Sequence, residues 1–276
     1  MADPSSSHSH PASEPLIYSI RQINGLFEEQ KRAFCSDLIP PGLLARYGIS
    51  PVTFADAEGN LLVELTCEAG TRYFEIEIWP APQARDPLIY LQLADTASAQ
   101  LEVLLFVIND PQGERFDVDR DWQGRRTKFG TMHRNVPEEI RAMRAGLAPG
   151  QVRRGLRLSS VLIPRLERFA TRIGHDLFFI EPLAYHNAIH FERHGFAYTS
   201  GRSKMEWINA EFAPQGVLHR QLDGSTPFRR PEFARTVRGR SWAIHDGILG
   251  EPWGGVRMYK RVGHHAGLST FPDAVY

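Results

Sequence analysis

The chain has 276 residues, 42% hydrophobic and 23% charged, and its acidic and basic side chains balance to a formal net charge of zero. Neutrality excludes a protein that coats nucleic acid or a membrane surface, because both need an excess of positive charge. Two cysteines, Cys35 and Cys67, make neither a disulfide framework nor a structural zinc site.

Residues 1–15 are rich in Ser, His and Pro, with no positive start and no apolar run, and are expected as a disordered tail rather than a signal peptide. No stretch approaches the roughly 18 apolar residues of a membrane span, so the expected location is the cytoplasm. Over residues 20–36, Ile20, Ile23, Phe27, Ala33 and Phe34 recur at helical spacing and predict one amphipathic helix, ended by Pro40-Pro41. Gly42 to Tyr47 is expected as a short second helix.

A strand-rich stretch follows. Leu61–Thr66 and Tyr73–Trp79 flank a turn, and in the second run Phe74, Ile76 and Ile78 alternate with Glu75 and Glu77, the pattern of a half-buried strand. Leu88–Leu93 and Leu101–Ile108 form another pair. The second of these is continuously apolar from Val103, which predicts a central strand. Asn109-Asp-Pro-Gln-Gly113 is a strong turn signal.

Pro137-Glu-Glu-Ile opens a helix, with proline in the first turn and two acids at the positive end of the dipole. A further helix is expected from Leu158 to Ile173. A short strand then covers Asp176–Ile180, a helix about Ala184–His194, and a strand-like segment Met205–Ile208. The last 65 residues or so are rich in Gly, Pro and Arg and predict ordered loops wrapping the domain. The pattern as a whole predicts an α/β protein with a mixed, largely antiparallel central sheet flanked by helices.

Two pieces of this order resemble the GNAT superfamily of acyl-CoA N-acyltransferases. One is Gln151-Val-Arg-Arg-Gly-Leu-Arg-Leu158, leading into a helix; the other is Ala188-Ile-His-Phe-Glu-Arg-His-Gly-Phe196. In that family a Gln/Arg-x-x-Gly-x-Gly/Ala loop opens a helix whose backbone N–H groups hold the coenzyme A pyrophosphate, since a helix N-terminus offers unpaired donors and partial positive charge. The resemblance places Gly155 at the central glycine, with Arg153 and Arg154 adding charge. Glu192, Gly195 and Phe196 match the family's Tyr-Glu-x-x-Gly-Phe ending.

This sequence also departs from the pattern. Val152 stands at the loop's Gln or Arg, Arg157 replaces its last small residue, and Phe191 replaces the tyrosine that reprotonates the leaving thiolate. Residues 109–152 separate the Leu101–Ile108 strand from the loop, far more than a short turn.

The resemblance implies an acyltransferase-like domain over residues 16–210, with 211–276 an irregular extension packing on it. An acyl group would pass from acetyl-CoA or another acyl-CoA to an amine of a small molecule or protein. The coenzyme would lie against Arg153, Arg154, Gly155 and Asn187, with its acyl end toward Glu181, His186 and His190 in a V-shaped cleft between two central strands near Ile180. Water or a histidine would supply the proton in place of the tyrosine. The expected partners are a small-molecule substrate, with room for a homodimer, and neither nucleic acid nor membrane.

His186, His190 and His194 form a second constellation. At four-residue steps on a helix they make one stripe, so a metal-dependent enzyme is the alternative reading. Projected down the helix, the stripe falls with Asn187 and Arg193 on the polar arc, where it would be wetted. Glu192 points into the apolar arc, needs a partner or a raised pKa, and is therefore a candidate base. A non-catalytic binding module of the same fold is the third reading.

Asp117, Asp119 and Asp121 start like a calcium loop, but Trp122 and Lys128 occupy the glycine and final glutamate positions of that loop. The cluster is expected either on a charged surface loop or receiving an amine or a metal. Arg229, Arg230, Arg235, Arg238 and Arg240 would clasp a phosphate or be neutralised by nearby acids.

Overall fold

A computed structural model describes residues 16–127 and 134–275. The N-terminal tail and Lys128 lie outside the described residues. Three helices come first: α1 (Ile20–Asn24), α2 (Glu28–Leu38) and α3 (Pro41–Arg46). The single helix expected over residues 20–36 is thus two. Gly25 caps α1, and Phe27 adopts an extended conformation before α2. The Asn24 side chain is drawn off to donate to the carbonyls of Thr71 and Tyr73. Asp95 takes the N–H groups of Ile20 and Arg21 at 2.8 and 2.9 Å, which docks the start of α1 against the sheet.

The strands are β1 (Val63–Thr66), β2 (Tyr73–Ile78), β3 (Ile89–Asp95), β4 (Leu101–Ile108), β5 (Leu177–Ile180), β6 (Ala197–Ser200) and β7 (Arg257–Arg261). They form one seven-stranded sheet in the order β1-β2-β3-β4-β5-β7-β6. Every pairing is antiparallel except β4 with β5. An unbroken row of partners crosses it: Phe74, Leu93, Val103, Ile180, Met258, Tyr198. Directly paired residues share a face, and all of these but half-buried Tyr198 are buried.

That face carries the helices α5 (Ser159–Arg172) and α6 (Tyr185–Arg193). Tyr198 reaches Glu192 of α6, and Lys260, two residues beyond Met258, pairs with Glu167 of α5 at 2.9 Å. The opposite face bears Tyr73, Glu75, Glu77, Tyr90, Gln92 and Glu102, none of them buried.

The remaining helices are α4 (Val136–Arg144), α7 (Arg202–Glu211), α8 (Val217–Arg220) and α9 (Val237–His245). The expected strand at Met205–Ile208 lies inside α7. Met205, Ile208 and Phe212 are its buried residues, at three- and four-residue spacing, a helical period that a four-residue window hides. Gly201 precedes α7 at φ +86°, and a Cβ there would sit 2.6 Å from the Gly255 carbonyl, so only glycine fits. The segment after residue 210, expected as irregular loops, supplies α8, α9 and β7. The last of these runs inside the sheet between β5 and β6.

Among the described residues no helix is long and apolar enough to cross a membrane.

Candidate functional site

The parallel pair sets the geometry. β4 and β5 are joined only at Glu102–Phe179 and Val103–Ile180. The chain then leaves β5 at Glu181 while β4 runs on to Ile108, so beyond Ile180 β5 no longer pairs with the last residues of β4.

The loop before α5 sits at the end of β4. The Asp110 N–H donates to the Arg154 carbonyl at 2.7 Å, and the Phe116 N–H to the Val152 carbonyl at 2.8 Å. A Cβ on Gly155 would lie 3.2 Å from the Ile108 carbonyl. The long excursion 109–152 therefore leaves and returns at one point, and the loop adjoins β4 as a short turn would place it.

Arg154, Gly155 and Arg157 are exposed. Among the described residues no acceptor takes the N–H groups of Gly155 to Ser160, and neither Arg154 nor Arg157 has an acidic partner. Arg157 holds φ +57°, a left-handed conformation that costs a non-glycine residue about 1 kcal/mol or more. Glycine, which has no Cβ, would relieve it.

Arg153 is used differently. Its Nε donates to Asp86 at 2.9 Å and its Nη1 to the Gly113 carbonyl, with little of the side chain exposed. Asp86 also takes the Nε of buried Arg115, whose Nη atoms reach Asp117 and Asp119. Burial alone would raise the Asp86 pKa, but the hydrogen bonds from Arg115 and Arg153 hold it below the ordinary carboxylate range. Arg153 is thus a strut under the loop, and its guanidinium is already spoken for. Asp121 is likewise occupied, by Arg125 and by the N–H groups of Gln123 and Arg125.

On α6 the histidine stripe is only partly wetted, because α9 packs over its first member. His186 is buried, with Nδ1 2.9 Å from Ser241 Oγ of α9. Burial and the nearby positive groups His190, Arg238 and His245 push its pKa down to about 3. Burial, His194 and Arg193 lower His190 to about 4. His190 and His194 lie half-buried with ring centroids 4.7 Å apart. Among the described residues no group of three or more His, Cys, Asp or Glu side chains is placed to hold a metal ion.

Glu192 is buried and has found partners. Its Oε1 accepts from the hydroxyls of Tyr198 and Thr270, and its Oε2 from the Thr270 N–H at 3.0 Å. Phe191 packs on Phe196 at 5.1 Å between centroids. Asn187 is half-buried on α6, and Glu181 is exposed where the chain leaves β5.

Of the arginine cluster, Arg240 is buried. It donates to the Ala234 carbonyl and Asn209 Oδ1 and stacks over Phe271 at 3.4 Å. Arg229 is held by Asp246. Two shallow depressions lie elsewhere, one at Thr171, His175 and Arg261, the other at Gln100, Glu102 and Arg257.

The structure thus brings Arg154, Gly155 and Glu181 to one end of the sheet and sets His186 and Glu192 into the packing of α6. Sequence reasoning left Arg157 out of the binding set, although its position in the loop pattern is the signal that could have included it. No protein-family model, no curated protein and no solved structure matches this chain.

Proposed function

We propose that this chain binds an acyl-CoA where the β4–α5 loop meets the end of β4 and transfers the acyl group to an amine. What carries the reading is the loop from Arg154 to Ser160. Six successive N–H groups have no acceptor among the described residues, and two exposed arginines without acidic partners flank Gly155 at the end of a strand that runs on past its parallel neighbour. Unpaired amides at a helix start, reinforced by guanidinium groups, suit a diphosphate.

In the transfer the amine nitrogen attacks the thioester carbonyl, the C–N bond forms and the C–S bond breaks. Glu181, exposed at the end of β5, takes the amine's proton directly or through water. With Phe191 in place of the tyrosine, water supplies the thiolate's proton.

The test is titration of the full chain with coenzyme A by calorimetry. Micromolar binding is expected, and it should weaken at least tenfold in both Arg154→Glu and Arg157→Glu. No heat from coenzyme A or acetyl-CoA rejects the reading.

A second reading, a coenzyme-binding module without turnover, is favoured by the engagement of Glu192 and His186 in packing. Release of free thiol from acyl-CoA in the presence of amines decides between the two.

A further inference from the structure

Beyond Val103 and Ile180, β4 continues as Leu104-Leu-Phe-Val-Ile108, apolar on both faces. A central strand with such a run is ordinarily covered on both sides. Here Leu104 keeps 41% of its surface exposed, and the following four residues are only half-buried, with Phe106 and Ile108 packing partly against the main core. Two more exposed apolar side chains belong to the same end of the sheet: Leu183 at 55%, just after β5, and Val161 at 43%, in the first turn of α5. The end of β4, the exit from β5 and the start of α5 share that end of the sheet. Exposed apolar side chains gathered at one end of a sheet are candidates for a binding surface.

The cationic loop adjoins it, with Gly155 against the Ile108 carbonyl. A ligand that satisfies both parts is anionic at one end and apolar at the other.

We infer that the donor's acyl group is an apolar chain several methylenes longer than acetyl, lying against the open stretch of β4 and Leu183. This rests on the coenzyme reading above, to which it adds the class of acyl group.

Coenzyme A, acetyl-CoA and octanoyl-CoA are titrated into the full chain. The first two should bind alike and octanoyl-CoA at least about tenfold tighter, since each fully buried methylene contributes about fourfold. Leu104→Glu and Leu183→Glu, both at exposed positions, should return octanoyl-CoA to the acetyl-CoA level and leave coenzyme A affinity unchanged. Equal binding of acetyl-CoA and octanoyl-CoA overturns the inference while the coenzyme reading stands. So does an octanoyl preference that survives both substitutions, or one absent while octylamine binds, which gives the apolar wall to the acceptor. Failure of all three coenzymes to bind removes the coenzyme reading, and this inference with it.

Discussion

Glu192→Gln and Glu192→Ala separate a structural carboxylate from a catalytic base. In the native protein the Thr270 N–H fixes one acceptor at Oε2, while the hydroxyls of Tyr198 and Thr270 both face Oε1. Glutamine can keep its oxygen at Oε2 and turn its NH2 to the two hydroxyls, which accept as readily as they donate. The loss is then the charge assistance alone, about 1–2 kcal/mol. Alanine leaves the Thr270 N–H and the Tyr198 hydroxyl without their partner and opens a cavity beneath the last turn of α6. That amounts to about 4 kcal/mol, or roughly a 10 °C drop in Tm. Urea unfolding followed by tryptophan fluorescence measures both. The refuting result is an alanine variant within 1 kcal/mol of wild type, or a glutamine variant that is fully stable yet devoid of acyl transfer, which would make Glu192 the base after all.

Three further outcomes follow from the geometry. Asp86→Asn removes the charge shared by Arg115 and Arg153, and should destabilise by about 2–3 kcal/mol in denaturant unfolding at neutral pH. The Asp86 pKa is depressed in the folded state, so this contribution is present above the ordinary carboxylate pKa and vanishes as pH falls through the lower folded value; the variant should converge on wild type in acid. His186 has a folded pKa of about 3, below its unfolded value near 6.5, so its contribution is complete above pH 6.5 and is lost at about 1.4 kcal/mol per pH unit below it. Unfolding midpoints between pH 7 and pH 5 should therefore fall steeply in wild type and less steeply in His186→Asn. Arg157→Gly releases the left-handed strain at φ +57° and should leave stability within about 1 kcal/mol of wild type or above it, while coenzyme A affinity drops with the lost charge. Loss of stability without loss of affinity would count against both the strain and the role.

Strands with a local signature were legible in the sequence. Tyr73–Ile78 alternates and Leu101–Ile108 is a continuous apolar run, and both appear at those positions. β7 gave no such signal, because Arg257-Met-Tyr-Lys-Arg261 carries three basic residues. It becomes a central strand only because Lys260 finds Glu167 on α5 and Arg257 finds Glu102 on β4. The histidine spacing shows one face of a helix, but the burial of His186 depends on α9, which begins more than 40 residues later. The same holds for Arg153: its charge was visible, its partner Asp86 in the β2–β3 connection was not. Periodicity reports on an element's own faces; which face is covered is decided by contacts far away in sequence.

The two long excursions from the sheet explain each other. The first, 109–152, lies between β4 and the loop before α5; the second, 201–256, lies between β6 and β7. Phe116, Val118, Ala142 and Leu147 from the first pack with Phe228 and Trp242 from the second into a small core separate from the main one. Charges stitch the same seam: buried Glu139 accepts from Arg134 and His245, and Arg134 continues to Asp246, which Arg229 also holds. Neither excursion closes a core alone, and together they bring α9 down onto His186. The first also returns its chain beside Ile108, leaving the loop before α5 adjoining β4. The excursion between strand and loop is thereby folded onto the second one, and the apolar run of β4 extends past the end of β5 beside that loop.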